Sequence, residues 1–459
     1  MTAAQLSTYD EMLKTFYLPG IQEYLNHGTP LVDLIERNTE DVSGKNATIE
    51  AHYGRTTGTG YRGDMGVLPT ANYQKHKTCT VPMKYGYGRM QVSGPSKAAT
   101  RDERGAYAKV IDTEVKGLTR DFMKEKNRAM WGCGYGILAR WRSGATTAIT
   151  LQKKYTGNSA GGDAFGSTFG GKYLENRPDA VPVVGSTFGG AATFVVDGTD
   201  IAVSALTKGT DYDTITCTDA DVTEAAGTFY VRPAGLGAQA ASGAHRVEMM
   251  GLRGLITDTD LDEIALDDGQ ASGEGASGFP DPLQGLAVAT YPWFKSKVDS
   301  HPSGRYNGQR ALTLNLMQVM FDLIEEQAGV GYGPDLLLTT RALRREYIEL
   351  MRADRSIVNT MTLDGGWDAI SYNGVPFMVD NDAIDGEIYY LTLSEIAMYA
   401  MSAVDWMSDD GSILSRISGY DAYEAVLYEY AELGIKNRAN CGVITDLAYT
   451  KSSNEGYGA

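Results

Sequence analysis

Residues 81–136 restrict this chain more than any other stretch. They open with Val81-Pro-Met-Lys-Tyr85-Gly-Tyr87-Gly-Arg89-Met90-Gln-Val92-Ser-Gly94. A period of two puts Tyr85, Tyr87 and Arg89 on one face of an extended strand and the glycines on the other. A ribbon with glycine along one face has little to bury, so it is not stable alone. A charge-dense run over 101–130 follows, with apolar positions at Tyr107, Ile111, Val115, Leu118, Phe122 and Ala129 and one polar turn at Lys126. That spacing predicts a single helix about 45 Å long with only a narrow buried stripe. Met130-Trp-Gly-Cys-Gly-Tyr-Gly136 then stops it. An extended arm feeding a beam is a poor design for a pocket and a good one for reaching a neighbouring subunit. Tyr85, Tyr87, Arg89 and Met90 are therefore the candidate intersubunit contacts.

The rest of the chain is consistent with several connected units, because 459 residues exceed one ordinary core. Apolar residues make up 42% and charged residues 22%, which is a globular composition. A net charge of −17 opposes non-specific binding to nucleic-acid phosphates. Cys79, Cys133, Cys217 and Cys441 form no Cys-x-x-Cys pair, so neither a zinc site nor a disulfide framework is expected. The first residues show no basic region leading into an apolar core, and no run of about 18 apolar residues exists. Folding in the cytoplasm, with no membrane partner, is the expectation.

Along the chain, residues 8–36 read as broken helix and belong to an N-terminal arm over 1–45. Residues 46–100 read as an extended loop region, and 101–145 as the long helix and the start of the domain it supports. Short strands with Asp-Gly and Lys-Gly turns mark 146–253 as a β-rich insertion, in which Gly-Ser-Thr-Phe-Gly-Gly occurs at 166–171 and 185–190. Two copies are too few for a stacked repeat array. Residues 254–282 hold eight acidic residues and no Lys or Arg, the pattern of an exposed acidic linker. An α/β section over 283–418 shows a helix marked by Leu312, Leu316, Val319, Met320 and Leu323, a buried strand at 335–338, and a second helix over 341–352. Asn373-Gly374 reads as a tight turn between strands. Return strands and a tail fill 419–459.

Four motifs match catalytic or binding patterns by letters and fail on context. Gly58-Thr-Gly60-Tyr-Arg-Gly63 is not followed by a helix that could hold a dinucleotide pyrophosphate, so it reads as loop. Gly157-Asn-Ser159-Ala-Gly161 has nucleophile-elbow spacing, but glycine and Asp163 follow where a helix is needed. Residues 166–172 resemble a phosphate loop, with Tyr173 where a Ser or Thr must hold magnesium. Asp258-Thr-Asp260-Leu-Asp262 begins like a calcium loop, with Glu263 in place of the turn glycine and Gly269 in place of the bidentate Glu. The five histidines show no metal spacing. No active site, cofactor or metal is expected, and the alternatives are a serine hydrolase using Ser159 or a phage tail or surface-layer component.

The order of pieces resembles a tailed-phage major capsid protein of the HK97-like fold. Residues 61–69 leading into 85–94 look like that family's extended loop, and 105–136 are similar to its spine helix and glycine-rich exit. Residues 331–338 with the helix after them, and 372–380 with 386–391, resemble its axial domain. The resemblance implies an α+β fold with an N-terminal arm, an extended β loop, a long spine helix and peripheral and axial domains, here with a β-rich insertion. It also implies hexamers and pentamers forming an icosahedral shell around double-stranded DNA, without sequence-specific binding. Separate scaffolding, portal and decoration proteins are the further partners. Some family members crosslink a loop lysine to a neighbour's asparagine. Lys75, Lys77, Lys84 and Lys97 lie in or near the loop, but nothing here identifies their partner, and that activity is not carried over.

Overall fold

The computed structural model describes residues 30–94, 104–134, 136–145, 148–152, 184–188, 196–207, 212–217, 229–231, 248–258, 283–302, 309–329, 332–353, 360–362, 368–408 and 413–449. Its helices are α1 (Pro30–Leu34), α2 (Arg104–Trp131), α3 (Leu252–Leu255), α4 (Leu314–Ala328) and α5 (Arg341–Ala353). Most of the predicted helix over 8–36, Ser159, the 166–172 loop, Lys97 and residues 259–282 lie outside the described residues.

One five-stranded sheet runs β1 (Glu36–Asn38), β18 (Ile396–Trp406), β20 (Ala422–Ile435) and β19 (Ser415–Arg416), with β5 (Lys84–Ser93) also on β20. The tyrosine-glycine run is β5. It pairs antiparallel with β20 from Lys84↔Ala431 to Ser93↔Ala422. This corrects the reading of that run as an outstretched arm, because its ribbon is completed by the chain's own sheet. The reason lies in its glycine face. A Cβ at Gly86 would stand 3.2 Å from Phe122, and one at Gly88 would stand 3.3 Å from Leu118, both on α2. Glycine lets the helix lie close against the sheet.

The long helix α2 spans 28 residues, about 42 Å. Val115 and Met123 pack with Met90, Val404, Trp406, Leu414, Ala425 and Leu427, with Leu118 and Phe122 alongside. The sequence predicted a narrow stripe and a polar turn at Lys126. In the structure every residue from 126 to 131 is buried. Lys126 reaches Glu429 of β20 at 2.5 Å, with both side chains almost fully enclosed. Asn127 donates to Asp382 at 2.6 Å and to Asp380 at 3.2 Å. Arg128 is held by Glu125 at 2.7 Å and by Glu248.

A second, seven-stranded sheet has the order β12 (Lys297–Asp299), β21 (Gly442–Ile444), β17 (Ile388–Leu391), β13 (Leu336–Thr339), β16 (Val375–Val379), β15 (Asp368–Tyr372) and β14 (Thr360–Thr362). Its central strands are covered on both faces, which is why they read as unbroken apolar runs. Leu336, Leu338, Tyr389, Leu391 and Val443 join the main core, while Leu337, Tyr390, Ile388, Phe377 and Ile444 pack with Met317, Met320 and Ile324 of α4 and with Leu343 and Tyr347 of α5. The buried face of α4 is turned from the expected one: Val319 is exposed and Met317 is enclosed. Asn373 and Gly374 both adopt positive φ, 50° and 80°, as the two-residue hairpin turn requires. Two boundaries differ from those expected at 283–418. The strand from Ile396 belongs to the five-stranded sheet, and β21, expected among the return strands, lies within the seven-stranded one between β12 and β17.

Strands β6 (Ile137–Ala145), β7 (Ala148–Gln152), β8 (Val184–Phe188), β9 (Val196–Thr207), β10 (Tyr212–Cys217) and β11 (Phe229–Val231) close into a barrel in the order β10-β7-β6-β11-β8-β9. The barrel begins at Ile137, inside the segment assigned to the spine helix region, because β6 supplies the strand that β7 and β11 need. The chain returns through α3, whose Leu252 and Leu255 are fully buried, and Gly254 to Thr257 are enclosed with them. An exposed linker therefore does not start at 254. Arg438, also fully buried, donates to the carbonyls of Leu255, Thr257 and Phe294 and pins this return in place.

Lys126→Met is expected to cost about 3–5 kcal/mol by leaving Glu429 buried without its partner, and Lys126→Met with Glu429→Leu is expected to recover most of it, as read from urea midpoints. A second expectation concerns pH. Burial and the neighbouring Asp382 carboxylate push Asp380 from its ordinary value of 3.8 up to about 6. The folded state then binds this proton more tightly than the unfolded chain, so stability falls as pH rises from about 4 to about 6. Asp380→Asn is expected to flatten that slope and to stabilise the protein above pH 6.

Candidate assembly surface

The exposed surface with no use to an isolated subunit is a hairpin. Strands β3 (Asn46–Gly54) and β4 (Lys75–Pro82) pair antiparallel from Asn46↔Pro82 to His52↔His76, with β2 (Val42–Ser43) beside β3. At the root, Ala47, Ile49, Cys79 and Val81 enter the main core. Further out, Tyr53 stacks on Trp293 with ring centroids 4.9 Å apart, and the Lys77 ammonium lies 5.3 Å from the Tyr291 ring. These contacts fix the direction in which the hairpin leaves the body.

Residues 55–74 connect the two strands as an extended tip. Thr56 Oγ1 donates to the Asn72 carbonyl at 3.0 Å, and Asn72 Nδ2 donates to Thr57 at 2.8 Å, which holds the two sides together. Beyond them Arg62 donates to the Val67 carbonyl at 2.9 Å and closes the end. The tip carries Tyr61, Met65, Val67, Leu68 and Tyr73, with Val67 86% and Leu68 82% exposed. Large apolar side chains clustered in water on a projecting loop mark a contact surface. Gly58 and Gly63 sit in this loop with strands on either side, so the dinucleotide pattern has no helix to act through.

The face of the five-stranded sheet turned away from α2 is the second part. Tyr85 and Tyr87 are about half exposed there. Both meet Tyr430 edge-on, at 5.3 and 6.0 Å between ring centroids, and Tyr428 lies 5.1 Å from Tyr430. Tyr87 donates its hydroxyl to Tyr430 at 3.5 Å. That hydrogen bond, with smaller contributions from burial and the neighbouring tyrosines, pushes the Tyr87 hydroxyl up to about 12, so it stays protonated. Arg89 Nε donates to Glu424 at 2.8 Å. Met90 does not belong with these residues. It turns inward and is buried between sheet and helix, which removes it from any surface a neighbour could touch.

The sequence reading placed Tyr85, Tyr87 and Arg89 on one face, and its likeness of residues 61–69 to an extended loop falls on the hairpin tip, although it ran that loop on into β5. The signal was present in two alternating strands flanking a long glycine-marked loop, and only their pairing shows that the loop is a tip. Among the described residues no group of three or more His, Cys, Asp or Glu could hold a metal ion. No described helix is long and apolar enough to cross a membrane.

No protein-family model matches the chain, and no curated protein matches it. Among solved structures it is similar to the Cyanophage A-1(L) capsid asymmetric unit, with a TM-score of 0.52 over 92% of this chain and 93% of that one, at 13% identity. The chain has the HK97-like capsid fold. Two further similar structures are the capsid of a native GTA particle, with a TM-score of 0.41, 9% identity and coverage of 91% and 90%, and a structure from Mycobacterium phage Adephagia, with a TM-score of 0.40, 10% identity and coverage of 93% and 92%.

The two faces of β5 predict opposite outcomes. Tyr85→Ser with Tyr87→Ser is expected to cost the isolated subunit about 1 kcal/mol. Met90→Ala is expected to cost about 2–5 kcal/mol, because it empties a packed site. Denaturant unfolding of the three proteins checks both.

Proposed function

We propose that this chain is a structural major capsid protein. In this reading its copies assemble as hexamers and pentamers into an icosahedral shell that encloses double-stranded DNA within a virion. The observation that carries it is the extended hairpin, whose tip exposes Tyr61, Met65, Val67, Leu68 and Tyr73 on a chain with a capsid fold. A monomeric enzyme gains nothing from such a projection, whereas a shell subunit hides it against its neighbour. Obligate assemblies bury thousands of Å² in this way. Tyr85, Tyr87 and Arg89 supply a second contact area, since tyrosine buries surface while keeping a hydroxyl for a partner.

The net charge of −17 supports the same reading, because a shell that repels nucleic acid lets a genome pack and leave. Scaffolding, portal and decoration proteins are the separate partners that such a shell uses. Assembly takes place in the host cytoplasm.

Negative-stain microscopy of the purified protein is expected to show closed shells or capsomers. Tubes or rings would instead indicate a tail component, and a monodisperse monomer at every salt and protein concentration would overturn the proposal. Replacing residues 56–73 by Asn-Gly, a sequence suited to a two-residue hairpin turn, is expected to leave a folded subunit that no longer assembles.

A further inference from the structure

His52 and His76 lie far apart in the chain and show no metal spacing, but the pairing of β3 with β4 sets them directly opposite each other. Their ring centroids are 4.8 Å apart, with the rings tilted by 37°. The burial pattern shows which side of the hairpin they occupy. Ala47 and Ile49 turn inward from β3, and Cys79 and Val81 from β4, so Thr48, Glu50 and His52 alternate to the outer side with His76, Thr78 and Thr80. The His76 side chain is 49% exposed and that of Glu50 73%, so water and ions reach this face. Over those six positions it carries two imidazoles and a carboxylate and no lysine or arginine.

A second observation concerns the ring nitrogens. His52 Nε2 lies 2.9 Å from Gln74 Oε1, and His76 Nδ1 lies 3.3 Å from Glu50 Oε1. A carbonyl or carboxylate oxygen only accepts, so each of these ring nitrogens carries the proton and donates. In a neutral imidazole the other nitrogen then holds a lone pair. That leaves His52 Nδ1 and His76 Nε2 as the ligand atoms, one on each strand. Histidines that bind metal are oriented in this way, with the second N–H given to an oxygen acceptor. Two rings bound to one ion through metal–nitrogen bonds of about 2.0–2.1 Å have their centres roughly 5 Å apart, close to the 4.8 Å observed. A plain aromatic pair needs the ring contact and neither acceptor.

The geometry points to a divalent transition-metal site that clips the two strands of the hairpin together through His52 and His76, with Gln74 and Glu50 orienting the rings. Imidazole nitrogen selects zinc, copper or nickel over magnesium and calcium, which take oxygen ligands. With two protein ligands the ion keeps water at its remaining positions, as open sites do, and binds less tightly than a closed four-ligand centre. Ala47, Ile49, Cys79 and Val81 hold the strands at the root of the hairpin, and the ion holds them at the base of the tip. The site rests on the hairpin alone and does not depend on the shell reading.

The test uses the full chain, with zinc chloride as the probe in isothermal titration calorimetry. One zinc ion is expected to bind per chain, and magnesium chloride at the same concentrations is expected to give no binding heat. His52→Gln and His76→Gln are each expected to remove the saturable site, whereas His301→Gln is expected to retain it. Glu50→Ala and Gln74→Ala are each expected to weaken binding about tenfold, because they free a ring from its orienting acceptor. His52, His76, Glu50 and Gln74 are all exposed, so these variants are expected to keep the urea midpoint of the parent chain. No zinc binding, or binding that survives both histidine substitutions, would overturn the proposal. Unchanged affinity in both Glu50→Ala and Gln74→Ala would overturn the orienting roles given to those residues.

Discussion

Lys126, Asn127 and Arg128 are three successive residues of the long helix α2, and each reaches a different part of the molecule. Lys126 meets Glu429 in the five-stranded sheet, Asn127 meets Asp380 and Asp382 just beyond β16 of the seven-stranded sheet, and Arg128 meets Glu248 where the chain returns from the barrel. Enclosed charge is tolerable only when it is paired and hydrogen-bonded. These pairs therefore fix the position of the helix end more strictly than apolar packing would, since apolar contacts can slide and a buried ion pair cannot. Both sheets and the barrel return take their relative places from this short segment. Arg438 does the same for α3 by binding three carbonyls at once.

The opposite end of that logic is the glycine face of β5. A helix with Phe122 and Leu118 pointing at a sheet needs a sheet without side chains beneath them, and Gly86 and Gly88 provide it. The same alternation leaves Tyr85, Tyr87 and Arg89 on the far side, facing out. Close packing within the subunit and a tyrosine-rich outer face are thus one consequence of a period-two pattern. The structure divides the two tasks that the sequence reading had given to one segment. Strand β5 completes the five-stranded sheet, and the hairpin before it is the element that projects.

Local pattern alone carried the long helix, the Asn373-Gly374 turn, the continuous apolar strands of the seven-stranded sheet and the tyrosine face, because each depends on spacing within about 30 residues or fewer. It also carried the resemblance to a capsid protein, which rests on the order of such pieces. What it could not carry was partnership across hundreds of residues. The pairing of Tyr87 with Tyr428 and the burial of Lys126 by Glu429 join positions more than 300 residues apart, and no periodicity near residue 126 announces them. Lys126 therefore read as a gap in the apolar stripe. For the same reason Met90 read as surface, the barrel was cut at 146 instead of 137, and β18 and β21 were assigned to each other's domains. The sequence by itself determined which segments are helix, strand and turn and which faces are apolar, because backbone geometry sets those periods. Only the tertiary structure decided which faces are covered and which remain for a neighbour, because burial depends on what the rest of the chain brings to each face.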